Sequence, residues 1–182
     1  MIIEENGLYF FHIHGDFTPV CTTEFIAFSK ANTYFKKLNA QLIGLSIDSN
    51  PSHLAWIYDI YLRTGITIPF PIIADRNGSI ARKFGMISND VSSTETVRNV
   101  FIIDDKGTVR VILVYPLNIG RFIPEILRIV QALQMSDCTH SATPANWMPN
   151  QPVIQALPHT FCSQMCRLNF FNKLTIAVIY HA

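Results

Sequence analysis

Apolar and polar positions along the first half of the chain follow two patterns, short strand-like runs and longer stretches with helical spacing. The run from Leu8 to Ile13 is apolar and aromatic and stops at a Gly-Asp pair, which predicts a buried strand. From Thr22, a possible N-cap, four apolar residues recur at spacings near three and four: Phe25, Phe28, Phe35 and Leu38. This pattern predicts a helix, so strand, turn and helix meet around Cys21.

The next segments repeat this alternation. "QLIGLSID" predicts a second strand, and a helix is expected from about Ser52 to Arg63, closed by Gly65. "PFPIIAD" predicts a short third strand, followed by a short helix over Gly78 to Phe84 with Gly85 in the position that a C-cap prefers.

A hairpin and a last helix complete the pattern. In "VRNVFIIDDKGTVRVILVY", two β-rich runs flank a turn-forming Asp-Asp-Lys-Gly, which predicts an antiparallel hairpin. The residues from Phe122 to Leu133 have the spacing of an amphipathic helix with Pro124 in its first turn. The predicted element order is therefore β-α-β-α-β-α-β-β-α.

This order predicts an α/β domain with a thioredoxin-like fold, a central mixed β-sheet flanked by helices. Strands that alternate with helices favour parallel pairing through right-handed crossovers, and the final hairpin adds antiparallel strands. We assign residues 1–134 to this domain. Residues 135–182 contain a proline-rich stretch without helical period and are expected to form an extended C-terminal arm, with an atypical tail from about residue 160.

Composition narrows the class of protein. Of the 182 residues, 49% are hydrophobic and 15% charged, which predicts a packed globular chain rather than a disordered one. The formal charge is +1 and no basic cluster exceeds a pair, so nucleic acid is not an expected partner. Glu4 and Glu5 stand where a secretory signal carries basic residues, and the longest late apolar run, residues 174–180, is too short for a membrane span. We expect a cytoplasmic protein with no membrane partner.

The four cysteines are the first candidates for chemistry. In a cytoplasmic chain of this length they favour free, metal-binding or redox thiols over a disulfide scaffold. Cys21, at the start of a helix, faces unpaired backbone N–H groups and the positive end of the helix dipole, which favour thiolate over thiol. A small apolar filler is the alternative. Thr18, three residues earlier, either donates to the thiolate or to an oxygen substrate, or is an ordinary turn threonine.

The stretch "DFTPVCTTEF" closely resembles the peroxidatic motif of the peroxiredoxins, in the one-cysteine type that includes peroxiredoxin 6 and archaeal members of the AhpC-TSA superfamily. Further blocks resemble the same family: "GLSIDSNPSHLAWIYDI", "IPFPIIADRNGSIARKFGMI", "RNVFIIDDKGTVR", "YPLNIGRFIPEILRIVQALQ" and "ATPANW". The resemblance spans roughly residues 8–153. It implies a thiol-dependent peroxidase that reduces hydrogen peroxide and organic hydroperoxides through a cysteine sulfenic acid.

The resemblance also assigns site residues. Cys21 matches the peroxidatic cysteine, Thr18 the threonine of the motif, and Arg98 the arginine that opens the "RNVFIID" strand. Glu24 and Arg121 match a glutamate and a second arginine of the active site; a first-turn glutamate is also a plain partner of the helix dipole. Arg98 is expected to favour the thiolate and to hold the peroxide with forked N–H donors. No metal, haem or flavin cofactor is implied.

The sequence departs from the family in three places. The family's histidine and proline before the motif are Ile13 and His14 here, and the loss of the proline bears on the rate. His14 is a structural histidine, a proton donor, or with His12 and Cys21 part of a metal site. We expect the family's N-terminal hairpin to be missing before the first strand. The tail lacks the family's charged helix; Cys162 and Cys166 are possible resolving cysteines, and Cys138, just past the last helix, is expected to be incidental.

The expected partners are a hydrogen peroxide or small hydroperoxide substrate, an external thiol reductant and further copies of the chain in a homo-oligomer. The alternative function is a degenerate homologue that acts as a redox-responsive interaction or holdase-like protein. A thiol–disulfide oxidoreductase is disfavoured, because Cys21 is followed by Thr22, Thr23 and Glu24 instead of a Cys-x-x-Cys motif.

Overall fold

The structure, a computed structural model, describes residues 7–12, 15–86, 98–155 and 179–180. The chain divides into two compact units between Ile123 and Pro124. The 134/135 domain boundary stays a prediction from the sequence.

The first unit is built on a five-stranded sheet in the order β3-β2-β1-β4-β5. Its strands are β1 (Gly7–His12), β2 (Ala40–Ser46), β3 (Ile72–Ala74), β4 (Arg98–Ile103) and β5 (Val109–Tyr115). β1 pairs parallel with β2, and β2 with β3, whereas β4 pairs antiparallel with both β1 and β5. This is the mixed sheet that the sequence predicts. Because β4 runs against β1, its first residue lies at the same edge of the sheet as the carboxyl end of β1.

Three helices belong to this unit: α1 (Pro19–Lys37), α2 (Asn50–Thr64) and α3 (Ser79–Lys83). The buried face of α1 carries Phe25, Phe28 and Phe35, each at most 1% exposed. The ring of Phe25 packs against Trp56 of α2, with centroids 4.5 Å apart, and against Phe70 at 5.3 Å. These contacts fix α1 against α2 through side chains of large apolar area.

The predicted start of α1 is wrong by four residues. The helix begins at Pro19 with Thr18 as its N-cap, whereas the sequence pattern placed Thr22 there. Proline suits the first helical position because its φ is fixed near the helical value and an amide hydrogen would have no partner there. The Thr22 amide already donates to the Thr18 carbonyl at 3.0 Å, so Thr22 lies inside the helix. Cys21 is consequently the third residue of α1.

The second unit contains α4 (Ile123–Thr139) and a sheet in the order β6-β7-β8, made of β6 (Ser141–Ala142), β7 (Val153–Gln155) and β8 (Ile179–Tyr180). Both strand pairs are antiparallel. The segment after residue 134 thus contains the end of α4 and three short strands in its described parts, and its assignment as an extended arm stays a prediction. Among the described helices, none has the length and apolar content needed to cross a membrane.

The helix α4 runs six residues beyond its predicted end at Leu133. The apolar spacing does not extend into the last turns, which polar side chains stabilise instead. Ser136 donates its hydroxyl to the Ser141 carbonyl at 2.6 Å, and Thr139 donates to the Met135 carbonyl at 2.7 Å. Cys138, predicted to lie past the helix, is an exposed free thiol within its last turn.

Candidate active site

The Cys21 side chain is fully buried, with 0% of its surface exposed, in the first turn of α1. Since proline at position 19 has no amide hydrogen, the free N–H groups of this helix start belong to the residues around the thiol. The positive end of the helix dipole favours a negative charge at this place. The position is the one that the sequence predicts for a reactive thiol.

Arg98 is brought to the thiol by the sheet topology. It is the first residue of β4, at the edge where β1 ends and α1 begins, although it lies 77 residues from Cys21 in sequence. Its Nη1 donates to the Cys21 Sγ at 3.1 Å and to the Glu24 Oε2 at 3.0 Å, while its Nε donates to the Leu117 carbonyl at 2.7 Å. Within the described chain, no hydrogen bond is made by its Nη2.

The Glu24 carboxylate binds two arginines, Arg98 and Arg121, next to the thiol. Its Oε2 accepts from Arg98, and also from the Arg121 Nη1 at 2.6 Å, while its Oε1 accepts the Arg121 backbone N–H at 2.9 Å. The Nη2 of Arg121 donates to the Asn99 carbonyl at 3.1 Å. Glu24 is therefore more than a partner of the helix dipole, because it fixes both guanidinium groups.

The charged groups of this cluster do not balance one another. Glu24, Arg98 and Arg121 are 3%, 2% and 7% exposed, so water screens them weakly. Two guanidinium groups and one carboxylate leave one positive charge, which a Cys21 thiolate neutralises. Burial lowers the pKa of the Arg121 guanidinium, and the negative charge of Glu24 acts in the opposite direction.

Thr18 lies next to the site, but its hydroxyl donates a hydrogen bond to the backbone and not to the thiol. The Oγ1 donates to the Gly15 carbonyl at 2.8 Å, so in this arrangement it does not donate to the thiolate as the sequence suggested. A hydroxyl has one proton and two lone pairs, which leaves Oγ1 able to accept a hydrogen bond. A peroxide O–H is a suitable donor.

A second set of contacts, around the segment that precedes α1, was not predicted from the sequence. The Nδ1 of His53 in α2 lies 2.9 Å from both carboxylate oxygens of Asp16, and the Asp16 amide donates to the Asp48 Oδ2 at 2.8 Å. The Trp56 Nε1 donates to the Thr22 Oγ1 at 3.1 Å. One signal was available, because His53 shares the buried face of α2 with Trp56 and Ile60, and a polar residue on such a face needs a partner.

Several predicted residues cannot be placed at the site. His14, Cys162 and Cys166 lie outside the described residues, and of His12 only the backbone is described. Their proposed roles stay predictions. In the described ranges, no group of three or more His, Cys, Asp or Glu side chains is arranged to hold a metal ion.

Two family models match the chain. Residues 3–112 match the AhpC/TSA family, and residues 132–160 match the C-terminal domain of 1-Cys peroxiredoxin.

Individual relatives agree with these matches. The chain is 60% identical over 147 residues to peroxiredoxin 2 of Caldanaerobacter subterraneus subsp. tengcongensis, covering 81% of this chain and 66% of that protein. It is 53% identical over 159 residues to peroxiredoxin 2 of Sulfurisphaera tokodaii, covering 85% and 74%. A solved yeast mitochondrial 1-Cys peroxiredoxin superposes with a TM-score of 0.77 at 39% identity, covering 83% of this chain and 74% of that one. The thioredoxin-like fold predicted from the sequence is thus confirmed, and the chain belongs to the AhpC/TSA family as a peroxiredoxin of the one-cysteine type.

Proposed function

We propose that the protein is a thiol-dependent peroxidase that reduces hydrogen peroxide and small organic hydroperoxides. The observation that carries the proposal is the buried contact of 3.1 Å between the Arg98 guanidinium and the Cys21 sulfur, in a cluster with one uncompensated positive charge. Such a cluster stabilises the thiolate, which is the nucleophilic form of cysteine. Since the chain spans 66% of the length of its relative from Caldanaerobacter, the activity of the complete relatives is extended to this chain as a proposal.

The reaction begins with attack of the Cys21 thiolate on one oxygen of a peroxide. An S–O bond forms as the O–O bond breaks, and the sulfur loses two electrons to the peroxide. The attacked oxygen keeps its hydrogen and stays on sulfur as sulfenic acid. The other oxygen leaves as hydroxide or alkoxide and takes up a proton, giving water or an alcohol.

Arg98 and Thr18 supply the polar contacts that this reaction needs. Negative charge moves from sulfur to the leaving oxygen, and the guanidinium reaches the thiol with Nη1 while its Nη2 is not engaged by any described residue. That second group is suited to donate to the peroxide as charge develops there. The Thr18 Oγ1, whose own proton is bound by the Gly15 carbonyl, accepts the peroxide O–H. The two residues then orient the O–O bond toward the sulfur.

An external thiol regenerates Cys21. A first thiol condenses with the sulfenic acid, releasing water and forming a mixed disulfide, and a second thiol releases the Cys21 thiol as a new disulfide forms. The yeast relative resolves its thiol via glutathione and thioredoxin systems, so a glutathione-type or thioredoxin-type donor is our choice for this chain. Resolution by Cys162 or Cys166 stays a prediction that trapping of a mixed disulfide tests.

The activity is tested by stopped-flow oxidation of the reduced protein with hydrogen peroxide. We expect Cys21→Ser to abolish rapid peroxide consumption, whereas Cys138→Ser, which removes an exposed thiol in α4, retains it. A Cys21→Ser variant that keeps most of the activity would sink the proposal. Oxidation of Cys21 no faster than that of free cysteine would favour the holdase-like alternative, for which the described contacts offer no specific support.

We also propose a homo-oligomer in which β5 pairs with a second copy. This strand forms an edge of the sheet, and its Ile112 and Val114 side chains are 53% and 64% exposed. An exposed apolar edge strand is a template for pairing with another chain. Val114→Lys is expected to lower the sedimentation coefficient from an oligomeric to a monomeric value; a monomeric unmodified protein contradicts the proposal. A cytoplasmic location stays a prediction.

A further inference from the structure

The histidine of α2 is buried against the catalytic loop, which we define as Gly15 to Thr18. His53 is 4% exposed, and its Nδ1 is equidistant, at 2.9 Å, from the two oxygens of Asp16. The facing groups are acceptors, so Nδ1 carries a hydrogen and donates it. Nε2 is buried and has no hydrogen-bond partner in the described chain. A neutral imidazole with its proton on Nδ1 satisfies this geometry, because a second N–H would be buried unpaired.

The loop that His53 contacts is under conformational strain. Phe17 has a φ of 58°, in the left-handed region that residues with a Cβ rarely adopt, and its ring is 54% exposed. Its own side chain therefore contributes little burial to hold this conformation. Restraint comes from the neighbouring residue Asp16, whose carboxylate binds His53 and whose amide donates to Asp48 at 2.8 Å. Strained backbone persists where surrounding contacts over-determine it.

The position of Thr18 depends on this loop. Thr18 directly follows the strained residue, caps α1 and donates its hydroxyl to Gly15 at the other end of the loop. A loop that relaxes at Phe17 moves the Thr18 hydroxyl and the first turn of α1, which carries Cys21. Arg98 is held separately, by Leu117 and Glu24, and does not depend on the loop for its hydrogen bonds.

We propose that His53 is a positioning residue for the peroxidase, acting through the Asp16 carboxylate to hold the catalytic loop in the conformation that presents Thr18 to the peroxide. The inference rests on the proposed function, because it concerns how the peroxide is oriented. Burial raises the pKa of Asp16, while hydrogen bonds from Ser52 and His53 act in the opposite direction. Loss of the His53 donor leaves a buried carboxylate with fewer partners, and the loop relaxes toward water.

The test uses two isosteric substitutions. Asn and Leu have nearly the same shape, and the Asn amide nitrogen stands close to the place of Nδ1, so His53→Asn keeps a donor to Asp16 that His53→Leu lacks. Leu54→Ala, an exposed position on the same helix, is the control for changes in α2. Each variant is checked for its fold by circular dichroism. Its second-order rate constants are then measured with hydrogen peroxide and with iodoacetamide, which alkylates Cys21 without an O–O bond to orient.

We expect His53→Leu to lower the peroxide rate constant by about tenfold or more, since a charge-assisted hydrogen bond is lost. Alkylation is expected to be unchanged or faster. His53→Asn is expected to retain the peroxide rate constant within roughly threefold, as one neutral donor replaces another. A His53→Leu variant with the unmodified rate constant overturns the inference, as does an equal loss in both variants or a parallel fall in alkylation. If His53→Leu does not fold, a His53→Asn variant with a tenfold lower rate constant, about 1.4 kcal/mol, also overturns it. An unmodified protein that does not react with peroxide refutes the proposed function instead.

Discussion

Replacement of Glu24 by glutamine tests whether this carboxylate organises the site. Glu24 accepts from the Arg98 Nη1, the Arg121 Nη1 and the Arg121 amide, at 3.0, 2.6 and 2.9 Å. Glutamine has nearly the same size but no charge, and only one of its two terminal atoms accepts hydrogen bonds. The substitution therefore places two buried guanidinium groups next to each other without their shared counter-ion.

The expected cost follows from the burial of the partners. Removing one member of a buried ion pair costs about 3–5 kcal/mol, because the remaining charge is left uncompensated. Both arginines are at least nine-tenths buried, which places Glu24→Gln in this class. With an m-value of about 1–3 kcal/mol/M, the urea midpoint should fall by roughly 1–5 M. The thiolate should persist, since it becomes the only negative partner of the arginines.

The assay combines urea unfolding, followed by circular dichroism, with the absorbance of the Cys21 thiolate and the peroxide rate constant. Asp59→Asn is the matched control in the same unit, since Asp59 pairs with Arg63 at 2.8 Å on the exposed surface of α2. We expect a much smaller change there because water screens the pair. The peroxide rate constant should fall in Glu24→Gln, because Arg98 loses the carboxylate among its three hydrogen-bond acceptors, and should stay unchanged in Asp59→Asn.

An equal loss of stability in Glu24→Gln and Asp59→Asn would refute this reasoning. A double variant sharpens the test, because Glu24→Gln with Arg121→Met removes one of the two uncompensated charges. It should be more stable than Glu24→Gln alone. If the double variant is less stable by the sum of both single effects, the charges do not interact as the structure indicates.

Three further predictions concern other contacts. Arg98→Lys should lower the peroxide rate constant by about tenfold or more. One ammonium group cannot replace the forked donors that bind Leu117, Cys21 and Glu24 together. Stopped-flow kinetics measure this change, and an unchanged rate constant contradicts the prediction. Trp56→Phe keeps an aromatic ring against Phe25 but loses the hydrogen-bond donor to Thr22. Urea unfolding should therefore show a free energy of unfolding lower by about 1 kcal/mol. A decrease as large as that of Glu24→Gln would show that the packing of the ring dominates. Hydrogen bonds, chiefly from the Thr108 amide and also from Arg110, lower the pKa of Asp104. Asp104→Ala should therefore be less stable than the unmodified protein above the ordinary aspartate pKa of 3.8, and this difference in stability should vanish as the pH falls through the lowered pKa. A difference in stability that persists in acid contradicts the prediction.

The sequence predicted the fold well because its signals are local. Apolar spacing and turn residues placed nine elements in the right order, and β4 and β5 form the hairpin expected around Asp104 and Gly107. The errors lie at helix ends, where the spacing of apolar residues gives no information about the first and last residue of the helix. The proline after Thr18 begins α1 before its first buried phenylalanine, and the hydroxyls of Ser136 and Thr139 extend α4 beyond its last apolar turn.

The residues that the structure brings together were named from the sequence, but their contacts were not. Cys21 was singled out by its place at a helix start, and Arg98 and Arg121 by the resemblance; their roles stay predictions. No local pattern shows that the Glu24 carboxylate binds both arginines. That contact depends on the antiparallel pairing of β4 with β1, which brings residues far apart in sequence to one edge of the sheet. The contact of His53 with Asp16 also joins residues distant in sequence, so no local pattern shows it. The buried position of His53 on α2 could have been predicted from helical spacing.

We propose that Cys21 is a peroxide-reactive thiol held by Arg98. Mass spectrometry of the intact protein after one equivalent of hydrogen peroxide, followed by trapping with dimedone and peptide mapping, tests it most directly. We expect one dimedone adduct on Cys21 or, where a second thiol has reacted first, a disulfide that includes Cys21. An unmodified Cys21, with oxidation confined to the exposed Cys138, would show that Cys21 is not the peroxide-reactive thiol.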